Sequence, residues 1–187
     1  MTKENDKYTI KEEGKRGIEM KNLVITDKDI STKFFKNSVV VNLNNIHYSS
    51  CTGGLECLRC EGACYFQDDM SLISQWMNDC QLIIYVTRVK YGCFDIPFKK
   101  MLERLVVNRE PYYTMIEGES CHLGISQLQK KLLVIGYGEA TLEEKEIFKD
   151  LLDASTLGFS YSSVDAYFCE EYELEEVLHT FGGIDHV

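Results

Sequence analysis

Four cysteines crowd one short stretch. Cys51, Cys57, Cys60 and Cys64 fall within fourteen residues of a chain that holds eight cysteines in all. Cys57-x2-Cys60 sets two sulfurs on one turn, close enough to grip one metal ion or cluster. Cys51 and Cys64 complete a set of four thiolates, the number that structural zinc or a cubane iron–sulfur cluster takes. The same spacing also suits ordinary loop thiols. Of the two metal readings iron–sulfur stands slightly ahead, because zinc more often joins two separated cysteine pairs. Cys80 and Cys169 sit in apolar patterns and read as core packing. Cys93, Cys121 and the lone histidine His122 fall in loops, and none has a partner in the sequence that makes it a nucleophile or a base.

These groups need a scaffold, and apolar periodicity supplies one. Asn22–Thr26 (NLVIT), Ser38–Leu43 (SVVVNL), Leu82–Thr87 (LIIYVT), Leu132–Tyr137 (LLVIGY) and Tyr161–Phe168 read as buried strands. Between and after them, Met70, Ile73, Trp76, Met77 and Cys80 share one helical face. Phe98, Met101, Leu102 and Leu105 share another behind Pro97, and Ile147, Phe148, Leu151 and Leu152 a third. Leu174, Val177, Leu178 and Phe181 give a closing helix. Asp68 and Asp69 are expected to cap the first of these helices, and Thr141 with Glu144 has capping-box spacing for the third. Residues 108–129 show no regular period and read as a long surface excursion.

Strands alternating with helices imply right-handed crossovers and a parallel sheet covered on both faces. The expectation is an α/β three-layer sandwich with five parallel strands in the order 2-1-3-4-5, occupying residues 21–187 behind a polar lead-in, 1–20. Only about a dozen residues separate the first two strands, so the first crossover helix is shortened or missing. In such sheets ligands sit at the carboxyl ends of the strands, near the topological switch point. The cysteine loop and the loops after Thr87 and Tyr137 fall on that rim.

A formal net charge of -10 argues against a nucleic-acid-binding face. No apolar run is long enough to span a membrane, and the first residues lack a signal-peptide core, so the expected setting is the cytoplasm, with cysteines reduced.

Several motifs, taken in order, carry a resemblance. Cys51-Thr52-Gly53-Gly54-Leu55-Glu56-Cys57, then Gly62-Ala63-Cys64, then Asp68-Asp69-Met70 resembles the C-T-G-C-F-x-C-W…G-x-C…D-D-M pattern of flavodoxin-like NADPH-dependent FMN reductases and iron–sulfur flavoproteins. Thr87-Arg88-Val89-Lys90-Tyr91-Gly92 looks like that family's T-P-x-Y-Y-G loop. Lys99, Lys100 and Leu102-Glu103-Arg104 are similar to its K-x2-L-D-R helix. Pro111-Tyr112-Tyr113 and Gly118-Glu119 with His122 are similar to its P-F-F and G-E-x-H-H segments. The resemblance runs from about residue 39 to 155. It implies FMN at the carboxyl edge of the sheet, NAD(P)H as reductant, an iron–sulfur cluster on Cys51, Cys57, Cys60 and Cys64, and a second subunit helping to cover the flavin. Carried over by position, Thr87, Tyr91, Gly92 and Cys93 lie along the flavin ring. Arg88, standing where the family has proline, meets an anionic phosphate or is a solvated surface residue.

The pattern also departs from the family. Gly54 stands where the motif has a second cysteine, so a cluster needs Cys60 in its place. The phosphate loop after the first strand is abbreviated, and Thr26-Asp27-Lys28-Asp29-Ile30-Ser31-Thr32 carries two acids there. Three functional readings follow. The first is an FMN-dependent oxidoreductase, or a subunit of one, passing electrons to a small-molecule or protein acceptor. The second is a non-catalytic, degenerate partner subunit of a full-length reductase that supplies the phosphate loop; the resemblance implies a homodimer or a heterodimer with such a family member. The third is a zinc-stabilised interaction protein on the same fold.

Overall fold

The computed structural model describes residues 8–10, 22–35, 38–58 and 64–182. In chain order the elements are β1 (Tyr8–Ile10), β2 (Asn22–Thr26), β3 (Ser38–Asn42), α1 (Met70–Asp79), β4 (Leu82–Lys90), β5 (Cys93–Phe94) and α2 (Ile96–Arg104). There follow β6 (Arg109–Ile116), β7 (Glu119–Gly124), β8 (Lys130–Tyr137), α3 (Leu142–Thr156), β9 (Tyr161–Cys169) and α4 (Leu174–Gly182).

The β-branched runs behave as their composition dictates. β3, β2, β4, β8 and β9 lie side by side and parallel, which is the order 2-1-3-4-5. This is the flavodoxin-like α/β arrangement. Side chains alternate between the two faces. Leu23, Ile25, Ile83 and Tyr85 face one core, filled by Ile73, Trp76, Phe98, Met101, Phe148 and Leu152 from α1, α2 and α3. Val24, Ile84, Val86 and Ile135 face the other, where Leu174 and Leu178 of α4 pack. The first crossover is shortened as expected. A single 3-10 turn, Thr32–Phe34, replaces a helix, and Phe35 plugs the core in its stead. Gly182 sits so close to the Phe34 carbonyl that a Cβ there collides with it, and α4 packs down onto the short crossover through that glycine.

Four details differ from the sequence reading. β1, inside the polar lead-in, pairs antiparallel with β3 and extends the sheet by an edge strand. Residues 108–129 are not an irregular excursion. β6 and β7 form a separate two-stranded antiparallel sheet, turned through Glu117 and Gly118, both with positive φ. β4 runs on past Thr87 to Lys90 and folds back into β5. Finally, Asp69 occupies the N-cap of α1 without a capping side-chain bond. Its carboxylate instead accepts from the His47 amide at 2.8 Å, and Asp68 accepts from Met70 N at 3.2 Å. The Thr141–Glu144 capping box of α3 forms in both directions. Asp95 caps α2, ahead of Pro97 in its first turn. Among the described residues no helix is long and apolar enough to cross a membrane.

Candidate functional site at the carboxyl edge of the sheet

The chain leaves β2 for β3 on one side and reaches β4 on the other, so the switch point lies between the carboxyl ends of β2 and β4. Asp27, the first residue beyond β2, fills it. Its carboxylate accepts the Thr87 hydroxyl at 3.0 Å, the Arg88 amide at 3.0 Å and the Tyr137 hydroxyl at 2.8 Å. Three consecutive strand ends thus converge on one acid. Burial pushes the Asp27 carboxyl above the ordinary range, and the three donors pull it only partly back.

The neighbouring donors are spent in the same way. Lys28 N donates to Thr26 Oγ1 at 3.1 Å, and the Asp27 amide goes to Val86 O. The side-chain amides of Asn42 and Asn45 both donate to Asp29, at 2.7 and 3.3 Å. Above Tyr137, the cationic ends of Arg88 and Lys28 lie over its ring at 5.0 and 5.3 Å. Both cations pair with Glu171 from the start of the β9–α4 connection. Their hydrogen bonds hold that exposed carboxyl below its usual range.

An FMN phosphate does not fit this edge as it stands. The group that meets the strand ends is a carboxylate, a second carboxylate stands two residues on, and the amides of Asp27, Lys28 and Arg88 are engaged. A long helix N-terminus, the other usual phosphate anchor, is replaced by the 3-10 turn.

The residues assigned to the flavin ring by resemblance separate into two groups. Thr87, fully buried, and Arg88 belong to the Asp27 cluster. Tyr91 and Gly92, with φ of +54° and +67°, form the two-residue turn between β4 and β5. Tyr91 points outward, 82% exposed. Gly92 packs against α3, where an added Cβ would lie 2.8 Å from Ile147 Cγ2. Cys93, half-buried, opens β5. His122 lies on β7, its Nδ1 2.8 Å from the Glu110 carbonyl and its ring against Tyr113, on the two-stranded sheet and not at the carboxyl edge.

The cysteine loop is pinned at both ends. Arg104, 3% exposed, makes a two-pronged pair with Asp68 at 2.7 and 2.9 Å and also donates to Ser49 O. Burial works to raise the Asp68 carboxyl, but Arg104 and the amides of Ser49 and Met70 outweigh it and hold it low. Cys51, Cys57 and Cys64 are half-buried thiols. Burial, then the neighbouring Cys64, pushes the Cys57 thiol up. Among the described residues no three His, Cys, Asp or Glu side chains are placed to hold a metal ion. Cys60, the fourth expected ligand, lies outside the described residues.

No protein-family model matches the chain, and no curated protein matches it in sequence. Solved structures do match its fold. An FMN-dependent NADH-azoreductase from Bacillus anthracis, solved with FMN, superposes with a TM-score of 0.58 at 13% identity, over 87% of this chain and 95% of its own. NAD(P)H:quinone oxidoreductase from Methanothermobacter marburgensis gives 0.57 at 12% identity, over 87% and 95%. Smu.1420 from Streptococcus mutans gives 0.60 at 14%, over 88% and 98%. At these identities the likeness is one of fold, and it bears out the flavodoxin-like class.

Proposed function

We propose that this chain serves flavin-dependent electron transfer from NAD(P)H, as an FMN-dependent oxidoreductase or a subunit of one. The observation that carries this reading is the shared fold. The azoreductase from Bacillus anthracis and the quinone oxidoreductase from Methanothermobacter marburgensis keep it over nearly their whole lengths, and the motifs around Thr87–Cys93 resemble those of FMN reductases. In that reading Thr87, Arg88, Tyr91, Gly92 and Cys93 border the flavin, and the cofactor supplies the redox chemistry.

The filled switch point favours the subunit form. A second copy of this chain carries the same Asp27 and Asp29 and brings no phosphate cradle of its own, so the partner that completes the site is a full-length relative with an intact phosphate loop. The exposed Tyr112, Tyr113 and Met115 of β6 offer that partner an apolar surface. The cysteine loop adds an iron–sulfur centre if Cys60 joins Cys51, Cys57 and Cys64. Iron and sulfide analysis of protein purified without oxygen tests that separately.

Titration of the purified chain with FMN and with riboflavin, followed by absorbance, separates the two forms. The subunit form predicts that the phosphate gives no advantage: FMN binds no tighter than riboflavin. Asp27→Ser, which removes the occupying carboxyl group and frees the donors of Thr87, Arg88 and Tyr137 for a phosphate, then gives FMN an advantage of about tenfold. A chain that purifies with FMN bound, or prefers FMN to riboflavin unmutated, is an autonomous reductase and sinks the subunit form.

A further inference from the structure

On the other half of the sheet lies a cavity of about 270 Å³ that the flavin reading does not use. It opens between β4, β8 and β9 on one side and α2, α3 and the root of β6 on the other. Phe94, Leu105, Leu132 and Leu152 give it apolar walls. Its polar groups are Lys130, Arg109, Asn78, Asn108, the hydroxyls of Ser155 and Thr156, and the phenols of Tyr85 and Tyr161. Among the described residues no Asp or Glu lines it.

That absence of acid is chemically unusual, because buried cations are ordinarily paired. Lys130 is 7% exposed, and its Nζ donates to the Met77 carbonyl at 2.6 Å. None of the described ion pairs includes Lys130 or Arg109. Arg109 spends its guanidinium on the carbonyls of His122, Leu157 and Ser155 and stacks on Phe159. Burial pushes the Tyr85 phenol well above its usual range and that of Tyr161 up to about 12, so both are protonated donors at neutral pH. Asn78 and Asn108 bond to each other, and the Ser155 and Thr156 hydroxyls donate to Leu152 O. Among the described residues the cavity therefore offers an ammonium and two phenols with no carboxylate on its lining to receive them.

We propose that this cavity binds a small carboxylate carrying one apolar ring or a short chain. The carboxylate meets Lys130 and the phenols of Tyr85 and Tyr161, and the apolar body lies on Phe94, Leu105, Leu132 and Leu152. Size narrows the class. A dry protein cavity of about 150 Å³ holds benzene, so 270 Å³ takes a ring with its carboxylate. It falls short of the usual range for drug-sized ligands, about 300–1,000 Å³, and leaves no room for a flavin or a dinucleotide. Burial draws the Lys130 amine down to about 8, with the Cys80 thiol and Asp79 acting weakly the other way, so most of it stays cationic at neutral pH.

Benzoate is the probe, titrated into the full chain at neutral pH by calorimetry and by amide NMR. The expected result is saturable binding of one equivalent, with amide shifts grouped at Asn78, Lys130 and Ser155–Tyr161. Lys130→Met weakens it at least tenfold, and benzyl alcohol, the same ring without the charge, binds at least tenfold more weakly than benzoate. Benzoate that does not saturate overturns the proposal. So does binding that Lys130→Met leaves unchanged, or shifts grouped instead at Lys28 and Arg88. Should Lys130→Met fail to fold, the benzoate-to-benzyl alcohol ratio and the shift map in the unmutated chain decide alone.

Discussion

The switch point and the cavity are mirror images in charge. At the carboxyl edge an acid, Asp27, sits among three donors drawn from two other strands, and the chain supplies both sides of the interaction. In the cavity the donors stand ready, and among the described residues no acid on its lining answers them. Position in the fold alone therefore does not say where this protein is open to a ligand. The switch point, where flavodoxin-like sheets ordinarily bind, is filled from within by Asp27, and the cavity lined by Lys130 lies towards the opposite strand ends. The cysteine loop provides the reference case: Arg104 is as buried as Lys130, yet it has its carboxylate, Asp68.

The sharpest way to break this comparison is to remove each buried cation in turn. Arg104→Met leaves Asp68 charged and without its partner, a loss of about 3–5 kcal/mol for a broken buried pair. One feature trims that figure: among the described residues Arg104 Nε is buried with no nitrogen or oxygen partner, and methionine relieves it. Because Asp68 is held low in the fold, the pair's contribution is present above the ordinary carboxylate range and is lost as pH falls below it. Lys130→Met strands no opposite charge, and its expected cost at neutral pH is under about 1 kcal/mol. Urea denaturation of the two variants checks both numbers. Equal losses would mean that Lys130 has a charged partner in the fold, and the contrast between the regions would fail.

A smaller effect should appear on the alkaline side. Lys130 titrates near 8 in the folded chain, against an ordinary value of 10.5. The unfolded chain then binds more protons across that window, so the Lys130 contribution makes the fold more stable as pH rises from 8 towards 10.5. The gain is on the order of 3 kcal/mol at most. Cys80 acts the other way, since its buried thiol is pushed up to about 12 and its ionisation opposes folding at high pH. The stability difference between the unmutated chain and Lys130→Met removes what Cys80 and Asp79 contribute on their own and leaves the Lys130 titration with its weak coupling to them. That difference should shift in favour of the unmutated chain by a measurable margin between pH 7.5 and 9, and a flat difference would show that Lys130 is not desolvated.

The sheet was legible in the sequence because its evidence is local. Runs such as Leu82–Thr87 and Leu132–Tyr137 need only their own β-branched and apolar residues to declare a buried strand, and Thr141 with Glu144 declares its own helix start. The hairpin was not legible. Its register slips between Arg109 and Tyr113, which breaks the alternation, and Tyr112, Tyr113 and Met115 are exposed rather than packed in a core. Three residues of β1 in a charged lead-in give no period at all. Of the candidate site, the acidity after the first strand was visible, but not the burial of Asp27. That depends on Thr87 and Tyr137, 60 and 110 residues further along the chain. Lys130 is hidden differently. It precedes Lys131 at the foot of a strand, and no pattern tells which of two adjacent lysines turns inward.

The smallest expected effect concerns Asp27 itself, and it tests whether the edge is closed by charge or by shape. Asp27→Asn keeps the volume and still offers an oxygen to the Arg88 amide, while its NH2 group faces hydroxyls of Thr87 and Tyr137 that can turn to accept. The change in stability at neutral pH should stay within about 1 kcal/mol. Its pH dependence carries the information. A carboxyl raised in the fold contributes stability that is fully present below its unfolded value, about 3.9, and is lost as pH rises through the folded one. Relative to Asp27→Asn, the unmutated chain should therefore lose ground as pH climbs from about 4 towards neutrality. A difference that moves the other way would mean that the three donors outweigh burial and hold Asp27 as a stable anion. The edge would then be closed by a fixed negative charge, and FMN would be excluded more firmly at neutral than at acid pH. Ground lost as expected means that Asp27 closes the edge by occupancy as well as by charge, and an FMN titration repeated at two pH values would show the weaker pH dependence.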